Sequence, residues 1–214
     1  MDFAYLLDLF LHLDKHLVTV VDQWGAWVYV LLFAIIFVET GFVVMPFLPG
    51  YSLLFVAGAI AAVGGMSLPI LLILLLIAAV AGDALNYSIG RWFGPKVFAW
   101  EDSRWFNKEA FDKTHAFYEK HGPITIVVGR FMPFIRTFAP FIAGVAQMSY
   151  PRFATYNLIG GILWVVGLTG LGYLIGEHSW VKANFSIVAL AMIIIPGLPA
   201  LWVVLKSLYL KIKQ

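Results

Sequence analysis

Residues 129–145 read GRFMPFIRTFAPFIAGV, an apolar stretch that holds two arginines, Arg130 and Arg136, and two prolines, Pro133 and Pro140. An arginine at the centre of a membrane helix costs roughly 2.5–3.5 kcal/mol on insertion scales. Two of them in one hydrophobic segment therefore need a compensating anion, a wet cavity, or both. The prolines interrupt helical hydrogen bonding, so the stretch predicts a broken element with a functional polar centre.

The composition of the whole chain places this stretch in a membrane protein. Of 214 residues, 62% are hydrophobic and 12% are charged, whereas an ordinary soluble domain has roughly 25% charged residues. The net charge of +2 does not indicate nucleic acid binding, because the charges are distributed by membrane side. With no cysteine in the sequence, disulfides and thiol chemistry are excluded. The first 24 residues hold four aspartates and one lysine, so no signal peptide is expected there.

The first 64 residues predict an interfacial helix followed by a hairpin that does not cross the membrane. Residues 1–22 have apolar side chains at helical spacing, which is typical of an amphipathic helix at the interface. Residues 25–47 are apolar except for Glu39, and Pro46, Pro49 and Gly50 then end the segment. The next run, 52–64, has 13 residues, and a span needs about 20. A re-entrant hairpin is expected, with its tip buried or facing water.

The rest of the chain predicts an all-α polytopic fold. Residues 67–90 and 154–176 are expected to span, and 185–206 to form a C-terminal transmembrane helix. The stretch 91–122 is the soluble part, with a helix expected between an N-cap at Asn107 and a stop at Gly122-Pro123. We expect the side of this helix that carries Phe106, Ala110, Phe111 and Phe117 to face the membrane. Residues 123–150 are expected to repeat the broken pattern.

An internal repeat organises these segments. Phe55-Val-Ala-Gly58 recurs as Phe141-Ile-Ala-Gly144, and Tyr87-Ser-Ile-Gly90 recurs as Tyr173-Leu-Ile-Gly176, both at an offset of 86 residues. We predict a single membrane domain, 1–214, with repeat one over about 1–91. Segment 92–122 opens repeat two, which extends to about 177. Because one full span separates the hairpins, they enter from opposite faces, and inverted repeats of this kind are typical of secondary transporters.

The distribution of lysine and arginine predicts the orientation. Loop 91–122 and the C-terminal tail are basic, whereas 177–184 holds only Lys182. Cytoplasmic loops carry the excess of positive charge. The loop and the C-terminus are therefore expected in the cytoplasm of a multi-pass protein.

Two motifs identify the chain as similar to a known family. Glu39 followed by FLPG-x-S at 47–52, then G-R-F-x-P-F-x-R-T-x-x-P-x-x-A-G at 129–144, resembles the DedA family of bacterial inner-membrane proteins. The likeness continues through EKHG at 119–122 and SY-x-RFA-x-YN at 149–157. It implies a flippase that carries polyprenyl phosphate, undecaprenyl phosphate in particular, across the inner membrane for envelope lipid-carrier recycling. Related eukaryotic proteins resemble phospholipid scramblases, and some bacterial members are described as proton-dependent.

The arginines are the first candidates for binding the lipid phosphate. A guanidinium fork suits a phosphate bidentately and does not deprotonate. We predict that Arg130 and Arg136 bind the phosphate, with Thr137 beside them and Ser52 at the tip of the first hairpin. The alternative for Arg130 is that it extends to the cytoplasmic interface, because it lies near the start of its hairpin.

Two carboxyl groups are candidates for proton exchange or gating. Glu39 falls about 14 residues after Trp24–Trp27, which is about 20 Å into the membrane at 1.5 Å per residue. It is expected to be a proton site, or a gate that competes with phosphate for Arg130 or Arg136; the alternative is a permanent structural ion pair. Asp83 either lines the cavity or makes a polar contact near the end of its helix.

Tyr51 departs from the family pattern. The resemblance implies an aspartate at this position. A tyrosine can donate a hydrogen bond to phosphate, but it does not cycle a proton near neutral pH. The resemblance therefore does not decide whether transport by this chain is coupled to protons. Tyr51 is natural or a deliberate substitution, and it remains a candidate binding residue.

No enzyme, cofactor or metal site is expected. His12 and His16 have i,i+4 spacing but no third ligand close in sequence, and no hydrolase or phosphate-loop motif is present. The expected partners are the lipid phosphate and membrane lipids, with no nucleic acid and a possible homo-oligomer. The competing functions are a proton-coupled small-ion or drug antiporter, a general phospholipid scramblase, a membrane enzyme acting on lipid phosphate, and an assembly factor.

Overall fold

The computed structural model describes residues 23–42, 50–99, 108–132 and 135–183, and within these ranges the regular structure is helical, without strands. The predictions for the interfacial helix 1–22, for Asn107 and Pro133, and for the helix 185–206 lie outside the described residues. The helices are α1 (Ala26–Gly41), α2 (Gly50–Ala62), α3 (Leu68–Phe93), a 3-10 helix (Gly94–Ala99), α4 (Lys108–His121), α5 (Ile124–Gly129), α6 (Ile135–Val145), α7 (Tyr150–Glu177) and α8 (Ser179–Ala183).

Two of these helices are long and apolar enough to cross a membrane. They are α3, with 26 residues, and α7, with 28 residues. At 1.5 Å per residue they measure about 39 and about 42 Å, more than the hydrocarbon thickness of about 30 Å. The two spans predicted from the sequence are therefore found as candidate spans, each a few residues longer than expected.

Three other apolar helices are short. α1, α2 and α6 have 16, 13 and 11 residues, which correspond to about 24, 20 and 17 Å. The break predicted in 123–150 lies between Gly129 and Ile135. Pro140, by contrast, lies inside α6. Proline cannot donate the helical hydrogen bond to the carbonyl of residue 136, but the helix continues past it to Val145.

The amphipathic helix α4 corrects one expectation. It ends at His121 before Gly122, whose φ of +63° suits glycine, as predicted. Phe111, however, does not face the membrane. It is fully buried, and its ring makes edge contacts with Phe138 and Phe141 of α6. The apolar side of α4 is covered because α6 is itself apolar and packs against it.

The chain divides into two compact units. The first contains Met1–Val28, Pro49–Leu71 and Leu168–Gln214; the second contains Tyr29–Leu48 and Leu72–Gly167. In the first unit α2 meets the last part of α7 at two glycines. A Cβ at Gly58 would overlap the carbonyl of Thr169, and a Cβ at Gly172 would overlap the carbonyl of Phe55. Only glycine permits backbones to approach this closely.

The second unit has a helix crossing with the same contacts. A Cβ at Gly144 of α6 would overlap the carbonyl of Tyr87 on α3, and a Cβ at Gly90 would overlap the carbonyl of Phe141. Gly58 corresponds to Gly144 at the predicted offset of 86, but Gly172 corresponds to Gly90 at an offset of 82. The sequence repeat aligns Gly90 with Gly176, whereas the helix contacts align Gly90 with Gly172. The two alignments of the long helices differ by four residues, which is about one helical turn.

Candidate functional site

The polar residues of α3 lie on one face of the helix. Asp83, Asn86 and Tyr87 have i, i+3 and i+4 spacing, which places their side chains together. All three are buried, with 4%, 0% and 2% of their surface exposed. A buried polar face on a long apolar helix requires partners from neighbouring elements. These come from the end of α1, the residue after α5, the start of α6 and the turn between α6 and α7.

An ion pair joins the end of α1 to the start of α6. Nη1 of Arg136 lies 3.3 Å from Oε1 of Glu39, and the two side chains are 10% and 5% exposed. Glu39 is in the last turn of α1, and Arg136 is the second residue of α6. The backbone N–H of Arg136 donates to the carbonyl of Met132 at 3.0 Å, which fixes the entry into α6.

Asn86 holds the two helix ends that carry this pair. Its Nδ2 donates to the carbonyl of Thr40 at 3.2 Å and to the carbonyl of Thr137 at 2.9 Å. Thr40 follows Glu39, and Thr137 follows Arg136. Each charged residue therefore directly precedes a residue whose carbonyl accepts a hydrogen bond from Asn86. The approach is close because a Cβ at Gly82 would overlap the hydroxyl of Thr40. One side chain of α3 therefore brings Glu39 and Arg136 together.

A second ion pair joins Asp83 of α3 to Arg130, which directly follows α5. Nη2 of Arg130 donates to Oδ2 of Asp83 and to Oδ1 of Asn157. Asn157 in turn donates through Nδ2 to the carbonyl of Val80 at 3.0 Å. Arg130 is 5% exposed, so its guanidinium is buried among the helices of this unit rather than extended to an exposed surface. Removing one partner from such a pair is costly, because an uncompensated charge stays buried.

The ring of Trp164 lies beside both arginines. The guanidinium carbon of Arg136 is 4.6 Å from the ring centroid, and that of Arg130 is 5.9 Å from it. Both distances fall within the range of about 6 Å for a cation–π interaction. Trp164 is fully buried. The two ion pairs thus share one aromatic side chain.

One face of α7 builds this part of the site. Asn157, Gly160, Gly161 and Trp164 have i, i+3, i+4 and i+7 spacing, so they line one side of the helix. A Cβ at Gly160 would lie 3.1 Å from Cδ of Arg130, and glycine leaves room for the arginine chain. Neither Asn157 nor Trp164 was predicted from the sequence as a site residue. Their spacing was a signal that could have found them, because an asparagine inside an apolar span needs a polar partner.

A fixed polar network lies one turn further along α3. The hydroxyl of Tyr87 donates to the carbonyl of Met148 and accepts from Nη1 of Arg91, the latter at 3.0 Å. Tyr118 of α4 packs against the same cluster. Burial raises the pKa of Tyr118, with Arg152 acting in the opposite direction. Because the ordinary pKa of tyrosine is about 10 and burial raises the pKa of this one, the Tyr118 phenol is neutral at pH 7 and adds no anion.

The predicted site residues fall in both units. Glu39, Asp83, Arg130, Arg136 and Thr137 belong to the second unit and are brought together there. Tyr51 and Ser52 belong to the first unit, in the first turn of α2. Ser52 is 3% exposed, and its hydroxyl has no hydrogen-bond partner among the residues that the structure describes.

The cluster combines two arginines with two of the protein's own carboxyl groups. Two guanidinium groups face two carboxyl groups in a largely apolar setting. Carboxylate and phosphate are the planar or forked acceptors that arginine binds most strongly. A phosphate can therefore replace a carboxylate without changing the coordination of the guanidinium. Among the described residues, no group of three or more His, Cys, Asp or Glu side chains is placed to hold a metal ion.

Together, the long apolar helices and the buried arginine–carboxylate pairs define a multi-helix membrane protein with a charged interior. The model of the VTT domain matches residues 48–174. The protein DedA of Escherichia coli K12 is 50% identical over 202 residues, which cover 93% of this chain and 92% of that protein. The chain belongs to the DedA family.

More distant relatives agree with this assignment. An uncharacterised membrane protein of Mycobacterium leprae is 45% identical over 167 residues, covering 78% of this chain and 75% of the relative. The inner membrane protein YqjA of Escherichia coli K12 is 38% identical over 149 residues, covering 70% and 68%. No solved structure shows a significant match. The relatives are thus named as membrane or inner-membrane proteins, in accord with the apolar helices of this chain.

Proposed function

We propose that this chain is a transporter of polyprenyl phosphate, undecaprenyl phosphate in particular, across the bacterial inner membrane. The observation that carries the proposal is the buried pair of Arg136 with Glu39 at 3.3 Å. An intramembrane arginine held by an exchangeable carboxylate is suited to bind and release an anionic headgroup. The resemblance to the DedA family supplies the class of lipid.

The geometry favours Arg136 over Arg130 as the residue that exchanges its partner. Charge-assisted hydrogen bonds between guanidinium and carboxylate measure about 2.7–2.9 Å, and the Arg136–Glu39 pair at 3.3 Å is looser. Arg130 donates to two partners, Asp83 and Asn157, and Asn157 also donates to the carbonyl of Val80 on α3. We assign Arg136 to the phosphate and Arg130 to a fixed pair that shapes the site.

Exchange between internal and external anions is the proposed mechanism. When the lipid phosphate arrives, it displaces Glu39 from Arg136 and takes its in-plane N–H groups. When the phosphate leaves, Glu39 returns, so that the arginine is not left unpaired in a medium of low dielectric. Each state keeps the guanidinium compensated, which lowers the cost of moving between them. The hydroxyl of Thr137, next to Arg136, is assigned as a further donor to the phosphate.

The short helices are assigned as halves of re-entrant hairpins. α1, α2 and α6 are each shorter than the roughly 30 Å hydrocarbon core, and glycine crossings with the same backbone contacts occur in both units. These observations support two inverted repeats, in which residues 91–122 and the C-terminus lie in the cytoplasm. The prenyl chain would remain in the lipid, against the exposed apolar side chains of the second unit, which include Ile73, Ile77 and Leu163.

The proposal is tested by measuring binding of a short-chain prenyl phosphate to the purified full-length chain. The comparison ligands are the corresponding prenol, a phospholipid of similar charge and inorganic phosphate. We expect the prenyl phosphate to raise Tm and the prenol to leave it unchanged, because the phosphate makes the arginine contacts. Equal effects of prenyl phosphate and phospholipid would favour a general scramblase. No effect of either, together with proton flux driven by a small cation, would favour an antiporter.

A further inference from the structure

We propose that Trp164 is a positioning residue for Arg136, holding its guanidinium by the face so that its edge stays available to an anion. The inference rests on the proposed function for the identity of the anion, and on contacts of the described residues for the rest. Trp164 belongs to neither of the two motifs that relate the chain to its family at 39–52 and 129–144.

The first observation is that Trp164 and Glu39 both contact the guanidinium of Arg136. Its central carbon lies 4.6 Å from the centroid of the Trp164 ring, over the face of that ring. Glu39 is paired with Nη1 at the edge. A guanidinium donates its hydrogen bonds in its own plane, whereas it stacks on aromatic rings through its faces. A phosphate therefore competes with Glu39 for the edge but not with Trp164 for the face.

The second observation is that the ring is itself held firmly. Trp164 is fully buried, with 0% of its surface accessible to solvent. Gly161 lies on the same face of α7, and a Cβ at this position would be 3.8 Å from Nη2 of Arg130. The ring is also 5.9 Å from the guanidinium carbon of Arg130. A large side chain packed in this way is held in place by its neighbours, so it gives the longer and more flexible Arg136 side chain a fixed surface.

Glu39 and Trp164 therefore have different roles toward Arg136. Glu39 neutralises Arg136 when no anion is bound, and Trp164 maintains the orientation of the guanidinium during exchange. Without the ring, Arg136 would lose orientation but keep its charge. We expect weaker binding of phosphate with unchanged binding energy for the prenyl chain. Indole gives the strongest cation–π interaction among the aromatic rings, so phenylalanine should restore part of the effect.

The variants that test this are Trp164→Phe and Trp164→Leu, with Phe153→Leu as the matched control. Phe153 is also on α7 and fully buried, but it stacks on Tyr87 at 4.3 Å rather than on an arginine. Farnesyl phosphate and farnesol are the probes, applied to the full-length chain in detergent. We expect Trp164→Leu to weaken farnesyl phosphate binding about tenfold, with Trp164→Phe between it and the wild type. Phe153→Leu should lower Tm while changing that affinity less than about twofold.

If Trp164 only stabilises the fold, the result should differ. Trp164→Leu and Phe153→Leu should then each lose affinity in the same proportion to their loss of Tm. That result, or wild-type affinity in Trp164→Leu, overturns the inference. A second measurement does not depend on the lipid: the Tm losses of Trp164→Leu, Arg136→Gln and the double variant. We expect the double variant to lose less than the two single losses added together, because the stacked pair is lost only once.

These two measurements separate failure of the inference from failure of the proposed function. If farnesyl phosphate does not bind the wild type at all, the proposed function fails, and the positioning claim is decided by the Tm values. Additive Tm losses then overturn the stacking of Trp164 on Arg136. Non-additive losses keep it as a property of the site, with a different anion to be identified.

Discussion

Nη1 of Arg136 lies 3.3 Å from Oε1 of Glu39, and both side chains are at least nine-tenths buried. The two residues are 97 positions apart in the sequence and come from different short helices, α1 and α6. A single side chain, Asn86 of α3, hydrogen bonds the residue after each of them. The buried amide of Asn86 therefore holds two distant parts of the sequence close together, and the contact between Glu39 and Arg136 depends on it.

Replacing Glu39 by glutamine should increase affinity for a prenyl phosphate and decrease transport. Glutamine retains the shape of the side chain but no longer competes with the phosphate for Arg136. We expect about tenfold tighter binding, equivalent to about 1.4 kcal/mol, and slower release. Titration of the purified variant with farnesyl phosphate measures this. The control is Glu109→Gln, which alters the exposed pair with Lys113; weaker binding in Glu39→Gln than in that control would contradict competition.

Arg136→Lys should impair binding nearly as much as Arg136→Ala. Lysine retains the positive charge but loses the bidentate fork and the flat face that stacks on Trp164. We expect both variants to bind farnesyl phosphate at least about tenfold more weakly than the wild type. Thermal unfolding in the same buffer shows whether each variant is folded. Wild-type affinity in Arg136→Lys would mean that a point charge is sufficient.

Asp83→Asn should chiefly affect stability. It leaves Arg130 buried without its carboxylate, and breaking a buried ion pair costs about 3–5 kcal/mol. The double variant Asp83→Leu with Arg130→Met removes both charges, so it should recover most of this loss. Denaturation of each variant in mixed micelles gives the comparison. If the double variant is less stable than Asp83→Asn, then the two residues do not form a mutually compensating pair.

The re-entrant topology can be probed with single cysteines, because the natural sequence contains none. We expect cysteines at Ser52 and Thr137 to react slowly with a membrane-impermeant maleimide from either side, as positions near the midplane should. A cysteine at exposed Trp92 serves as the reactive control. Rapid labelling at Ser52 or Thr137, at the rate found for Trp92, would show that these helices end at the membrane surface and would exclude the hairpins.

Tyr51→Asp should raise transport, or make transport dependent on pH, in complementation of a strain that lacks its own family members. The family resemblance implies an aspartate at this position, and burial in a membrane raises the pKa of a carboxyl group toward neutrality. Tyrosine supplies no such proton-exchanging group. Complementation by the tyrosine and aspartate forms is compared across neutral and mildly alkaline pH. Equal growth at every pH, with equal off-rates for the prenyl phosphate, would show that the hydroxyl serves as well.

The helices that the sequence predicted best are those set by local pattern. The spans at Leu68–Phe93 and Tyr150–Glu177 follow from apolar length, and the end of α4 follows from Gly122. Phe111 was assigned to the membrane wrongly, because an apolar face does not show whether lipid or another helix covers it. Which carboxylate meets which arginine also depends on tertiary contacts. Nothing local in the sequence pairs Asp83 with Arg130 or places Trp164 beside both arginines.

The most direct measurement of the central claim uses proteoliposomes that contain a labelled polyprenyl phosphate in both leaflets. A water-soluble phosphatase added outside removes only the phosphates that reach the outer leaflet. With the wild-type chain, we predict that the inner-leaflet lipid also becomes accessible, and that Arg136→Ala leaves it protected as in empty liposomes. If folded Arg136→Ala exposes the inner-leaflet lipid at the wild-type rate, Arg136 does not bind the phosphate during transport and the account is contradicted.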